Sequence, residues 1–242
     1  MEINEDTTIG KVVAKDYRTA SVFESFEIDF CCNGNRTITE VCEIKNIDTT
    51  DLLEDIYQVF NQDKDNNLED YNNWELDKLA QHIEVRHHKY VDKQIPLIKQ
   101  YLEKICNVHG ENHPELFEVK KLFNTSAGEL TMHMKKEELI LFPFIKKMVT
   151  KQKANESITP PHFGKIINPI QTMMDDHDNE GERFRLTNKI TNNYTIPPDA
   201  CETYKVCFGY LKDFEQDLYL HIHLENNILF PKAIELEKQL TI

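Results

Sequence analysis

A chain of 242 residues with 40% hydrophobic and 29% charged residues, 7 Gly and 9 Pro has the composition of a folded protein, one large domain or an ordinary domain with a small companion, and not of a disordered or collagen-like chain. Its 28 Lys and Arg against 42 Asp and Glu leave a net charge of −14, which repels phosphate backbones and anionic lipid and argues against nucleic acid or a membrane surface as partner. No stretch approaches the roughly 20 apolar residues of a membrane helix.

The first residues, MEINEDTTIGKVVAKDY, are acidic and lack the basic and apolar regions of a leader, which predicts a cytoplasmic protein. Six cysteines, two adjacent and four scattered, accordingly read as thiols rather than as a disulfide framework. Ile9, Val12 and Val13, then Ala20, Val22, Phe23 and Phe26, recur at helical spacing before the turn-prone run Cys31-Cys32-Asn33-Gly34-Asn35, and a further helical stretch follows over 51–60. Residues 1–60 are therefore predicted to form a small helical domain. Its Cys31 and Cys32 are either a reactive thiol pair able to hold iron transiently or two small buried hydrophobes. The segment NQDKDNNLEDYNN, residues 61–73, is polar and without periodicity, and reads as a linker on which the small domain can move.

From Trp74 to the end, residues 74–242, four long helical segments are predicted, at about 74–106, 114–152, 169–192 and 198–238. Pro114, Pro169 and Pro198 suit first helical positions, with Asn168 as a cap. Pro96, Pro143 and Pro231 fall inside the spans, where kinks or early ends are expected. Tyr204, Phe208 and Phe214 read as core. Four helices with short connections imply an all-α four-helix bundle.

Within it the sequence repeats. HMKKEELILFP, residues 133–143, and HIHLENNILFP, residues 221–231, share His, Glu, Ile, Leu, Phe and Pro at the same offsets, and His88 and His177 lie 45 and 44 residues before the two copies. In each copy a His and a Glu four residues apart share one helix face. Counting residues from the predicted helix ends sets His88 level with His133 and, more loosely, His177 level with His221. Four imidazoles and two carboxylates exceed one catalytic zinc and lack the thiolates of a structural one. Two non-haem iron ions fit: if Glu137 and Glu225 bridge with an oxo or hydroxo group, two His apiece give each metal five ligands and one open position. Ferritin-type sites order their Glu and His differently, which disfavours a di-iron oxidase of that kind. Glu129, one turn before His133, and Asp176, beside His177, are candidates to orient imidazoles from behind or to relay protons. His109 has no counterpart in the second half and is left outside the ligand set, and His82, His87, His113, His162 and His223 read as surface or packing residues.

The residues Ile28-Asp29-Phe30-Cys31-Cys32, His88, HMKKEELILFP, DDHDNEGE around His177 and HIHLENNILFP together resemble the repair-of-iron-centres proteins of the ScdA/YtfE type, over nearly the whole chain. The resemblance implies a cysteine-bearing N-terminal domain joined to a haemerythrin-like di-iron bundle, iron ligation by His88, His133, Glu137, His177, His221 and Glu225, and a role in restoring iron–sulfur clusters damaged by nitric oxide or oxidants. Its expected clients are iron–sulfur proteins and its small ligands nitric oxide or dioxygen; a nitric-oxide-reducing or other redox activity and a homodimer are both compatible with it. The alternative is a haemerythrin-like dioxygen-binding or sensing protein without a repair role. Where the family has Cys-Cys-Gly-Gly this chain has Cys-Cys-Asn-Gly, and Asn33 is expected to tolerate a positive φ at that turn.

Overall fold

The computed structural model describes residues 3–61 and 70–241. Among them there is no strand, only an isolated antiparallel bridge between Thr8 and Thr37. The small domain holds α1 (Ile9–Lys15), α2 (Ala20–Ser25), α3 (Ile38–Lys45) and α4 (Thr49–Asn61). Thr37 and Glu40 close a reciprocal capping box at the start of α3, satisfying two backbone donors that the first helical turn leaves free. Ile9, Val12, Val13, Phe23, Ile38, Leu52 and Ile56, the residues at helical spacing, are its core.

Four long rods follow. The first, α5, runs through Leu76–His82, a π-helical turn Ile83–His88 and Lys89–His109. The second, α6, runs through Glu115–Lys136, a π turn Glu137–Leu141 and Phe142–Ala154. After α7 (Ile167–Ile190), α8 runs through Glu202–Leu224, a π turn Glu225–Leu229 and Phe230–Leu240. Each rod packs on its neighbours in chain order and α8 closes back on α5, the square of an antiparallel bundle.

The prolines neither break nor end these rods. Phe142 and Phe230 each donate to a carbonyl five residues back, on Glu137 and Glu225, so a wide π turn lies directly before Pro143 and Pro231. A wider turn moves aside the carbonyl that a proline ring would strike and needs no N–H from it, which is why the helix continues. Pro96 sits inside Lys89–His109 without ending it. Pro114 is the cap residue of α6, Pro169 lies within the first turn of α7, and Pro198 precedes α8 altogether. Asn168 lies inside α7, and its side chain donates to the Phe163 carbonyl instead of capping.

Apolar side chains divide into two clusters, each fully buried Leu, Ile or Phe contributing about 1.5–3 kcal/mol. One fills the end of the bundle holding Leu79, Ile145, Ile170 and Phe230. The other holds Val91, Leu130, Phe184 and Leu218 together with the whole core of the small domain. His88, His133, Glu137, His177, His221 and Glu225 lie in the layer between the two.

In this structure the small domain is packed on the bundle through that shared cluster. Phe30 and Tyr17 pack their rings on His223 of α8, with centroids 6.1 and 5.6 Å away. A Cβ on Gly34 would come within 2.6 Å of both the Phe30 carbonyl and the Asn227 side chain, so this close approach demands glycine. Asn33, by contrast, needs no positive φ and donates its side chain to Asp29 at 2.7 Å. The far end of the expected linker is also packed: Tyr71–Asn73 form a 3₁₀ turn, Tyr71 and Trp74 flank His82, and Asn72 donates to the Ala14 carbonyl. Residues 62–69 of that linker lie outside the described residues.

Candidate metal centre

The six residues selected by the repeat converge at the middle of the bundle, each no more than 2% exposed. The two π turns that accommodate the prolines begin at Glu137 and Glu225, so an over-wide turn starts at each carboxylate; a third ends at His88. Around Glu137, Oε2 lies 3.3 Å from His133 Nε2 and 3.4 Å from His88 Nε2. Around Glu225, His177 Nε2 and His221 Nε2 each lie 3.1 Å from an oxygen. Their donor atoms form two overlapping groups, His88, Glu137, His221 and Glu225, and His133, Glu137, His177 and Glu225, with all atoms of a group within 4.8 Å of one another. Both carboxylates belong to both groups.

The outward nitrogens are held by specific partners. His133 Nδ1 stands 3.2 Å from Asp176, which also takes Lys136 at 3.1 Å. The His133 bond is the main reason the Asp176 carboxyl is held down to about 2. His88 Nδ1 lies 3.1 Å from Glu138, and His177 Nδ1 lies 2.9 Å from the Asn226 side-chain oxygen. His133 Nε2 and His177 Nε2 face each other across 3.0 Å. Two ring nitrogens that close need a proton or a metal cation between them.

Other atoms repeat the same message. Both oxygens of Glu137 and of Glu225, with Nε2 of His88 and of His221, are buried without a hydrogen-bond partner, a concentration that native interiors avoid unless an ion completes it. Burial and the facing Glu225 oppose the charge on Glu137, yet His133 and His88 hold it below the ordinary range. Burial likewise opposes Glu225, and His221 and His177 hold it well below. The desolvated His133 would lose its proton readily, but Glu137 and Asp176 raise it to about 10. The pocket thus demands positive charge, and its nitrogen and oxygen donors fit iron.

Some expectations change. Glu129 does not support His133: its side chain is 54% exposed and pairs with Arg183, because Asp176 already occupies His133 Nδ1. His109 stays remote, 21 residues or about 31 Å along the helix from His88, with its Nε2 3.1 Å from Cys201. His87 and His223 are buried, His87 stacked on His221 with its Nδ1 3.1 Å from Asp217. Sequence reasoning passed over Glu138 and Asn226, although each directly follows the repeated Glu, the offset at which a side chain reaches the next rod.

Cys31 and Cys32 lie against this layer rather than apart from it. Their sulfurs are 3.7 Å apart, and Cys32 Sγ is 3.4 Å from the His177 carbonyl. Asp29 accepts both cysteine backbone N–H groups, at 3.1 and 3.0 Å, and pairs with Arg185 of α7 at 2.9 Å. The hydrogen bond to Cys32, followed by burial, pushes the Cys31 thiol well above its ordinary value.

An antiparallel bundle with a buried His/Glu layer, in which two carboxylates serve two pairs of imidazoles, defines a haemerythrin-like cation-binding protein. The chain belongs to the hemerythrin HHE cation-binding family, whose model matches residues 79–233, and its residues 5–59 match ScdA_N, a domain of unknown function. Among curated proteins it is 29% identical to the iron–sulfur cluster repair protein ScdA of Staphylococcus haemolyticus, over 95% of this chain and 99% of that one. It is 30% identical to the repair protein YtfE of Citrobacter koseri, over 95% and 97%, and 30% identical to a probable iron–sulfur cluster repair protein of Haemophilus influenzae, over 88% and 90%.

Proposed function

We propose that this protein repairs iron–sulfur clusters damaged by nitrosative or oxidative stress, using two non-haem iron ions in the bundle. The observation that carries the reading is the pair of overlapping donor groups, His88, Glu137, His221 and Glu225 beside His133, Glu137, His177 and Glu225; each group would hold one ion, with Glu137 and Glu225 shared between the two and an oxo or hydroxo group completing the pair. When bound, the irons supply an open position for nitric oxide or dioxygen and iron that can be passed to a client. The protein's own residues fix the imidazoles from behind through Glu138, Asp176 and Asn226, and wall the layer with apolar clusters on both sides. Cys31 and Cys32 act at the His177 face of this layer. The cytoplasm is where a repair protein would meet iron–sulfur clients; among the described residues no helix is long and apolar enough to cross a membrane.

Iron analysis with Mössbauer spectroscopy tests the metal reading, with about two coupled irons per chain expected and a single mononuclear iron overturning it. Incubating the loaded protein with a nitric-oxide-damaged cluster enzyme tests the function. Recovery of the client's activity is expected, and its absence together with a stable, reversible dioxygen adduct would favour the carrier.

A further inference from the structure

The two copies of the repeat differ where the bundle meets the small domain. After the shared Glu, the first copy has Glu138 and Leu139 and the second has Asn226 and Asn227. Glu138 and Asn226 do the same work on their own sides, holding the outward nitrogen of His88 and of His177. Their surroundings differ. Leu139 is 73% exposed, whereas Asn227 donates to the Phe30 carbonyl at 3.1 Å and Asn226 donates to the Cys31 carbonyl at 3.3 Å. A carboxylate at position 226 would face the Cys31 carbonyl with acceptors only, and a buried acceptor against an acceptor is costly. The neutral amide offers a donor to one side and an acceptor to the other.

We infer that Asn226 is a positioning residue through which docking of the small domain sets the His177 imidazole. The Cys31 carbonyl can only accept, so it fixes the amide with its NH₂ outward and its oxygen on His177. That oxygen can only accept, so His177 carries a hydrogen on Nδ1 and leaves Nε2 as the nitrogen that faces Glu225 and His133 and can take a metal. Of the four imidazoles, His88 and His133 take their Nδ1 partners from the bundle itself, and His221 Nδ1 has none. His177 alone is set through the small domain. Taken with the metal reading above, on which this consequence rests, the ion at His133 and His177 is held firmly only while the small domain is docked, and the ion at His88 and His221 is indifferent to it.

Two substitutions in the full chain separate the links. Asn226→Asp keeps the acceptor for His177 and loses the donor to Cys31, so ¹⁵N-detected NMR of the metal-free protein should still show His177 with its hydrogen on Nδ1 while hydrogen exchange over residues 10–34 accelerates. Asn226→Leu removes both, so His177 should shift toward the other tautomer while His88 keeps its own, the sign that the bundle is intact. Cobalt(II) titration of Asn226→Leu should show one of two binding steps weakened about 10–100-fold, the usual effect of losing a partner behind a ligand. The inference is overturned if Asn226→Leu leaves the His177 tautomer unchanged, or if Asn226→Asp leaves exchange in the small domain unchanged. A wild-type chain that binds no cobalt would overturn the metal reading, and the NMR and exchange results would still decide the coupling.

Discussion

The two halves of the bundle carry the same His, Glu and proline-tolerant π turn, yet one half faces solvent and the other is covered. On the open side Glu138 holds His88 and pairs with Lys135, and Leu139 protrudes. On the covered side Asn226 and Asn227 take the same places and both turn to the small domain. An internal duplication supplies the metal layer by symmetry; its few departures from symmetry mark what was built onto one face.

The largest expected effect falls where the halves are equivalent. Glu137→Ala and Glu225→Ala should each abolish coupled binding of two irons, because each carboxylate stands in both donor groups; Mössbauer spectra in which only one of the two variants lost coupling would show that the halves are not equivalent. Next, Asp176→Asn and Glu138→Gln each weaken a charge-assisted support of a single imidazole. Metal titration should show a loss of about 10–100-fold at one binding step in each case, and equal loss at both steps would contradict the pairing of His133 with His177.

A smaller effect separates open from covered. Asn227→Leu leaves the buried Phe30 carbonyl and the His223 ring nitrogen, 3.0 Å from the amide, without their donor, a cost of about 1–3 kcal/mol. The equivalent Leu139→Asn at an exposed position should change stability by less than about 0.5 kcal/mol. Urea unfolding of the two variants measures the difference, and similar values would remove the asymmetry.

The last test concerns the far end, where the two halves meet again. Cys201 sits at the start of α8 with its sulfur on His109, and this hydrogen bond lowers its pKa to about 7. The thiolate is the reactive form, so alkylation of exposed Cys201 should speed up as pH rises and reach half its maximum rate near pH 7. His109→Ala should move that midpoint upward. Midpoints that coincide would show that His109 does not tune the thiol.

Much of the site was legible because a helix has a fixed period. A His and a Glu four residues apart must share a face, and a repeated pair with a preceding His at nearly constant distance implies that two hairpins present them together. Less legible were the supports. Asp176 was found from its neighbour, but Glu129, equally well spaced, went to Arg183, because spacing on one helix does not say which side chain of the next helix arrives first. Glu138 and Asn226 were missed because an over-wide π turn, not the regular period, aims them.

By itself, then, the sequence determined the bundle, its duplicated layer of four imidazoles and two carboxylates, and the small helical domain, since all of these follow from local periodicity and repetition along the chain. Only the tertiary structure decided that the prolines sit behind π turns, that residues 28–34 lie against α7 and α8 beside His177, and that Cys31 and Cys32 belong to the surroundings of the metal layer. Those facts depend on which surfaces meet, and the apolar side chains that bring Phe30 and Tyr17 onto His223 are attracted without direction; a polar linker of any composition would have allowed other dockings.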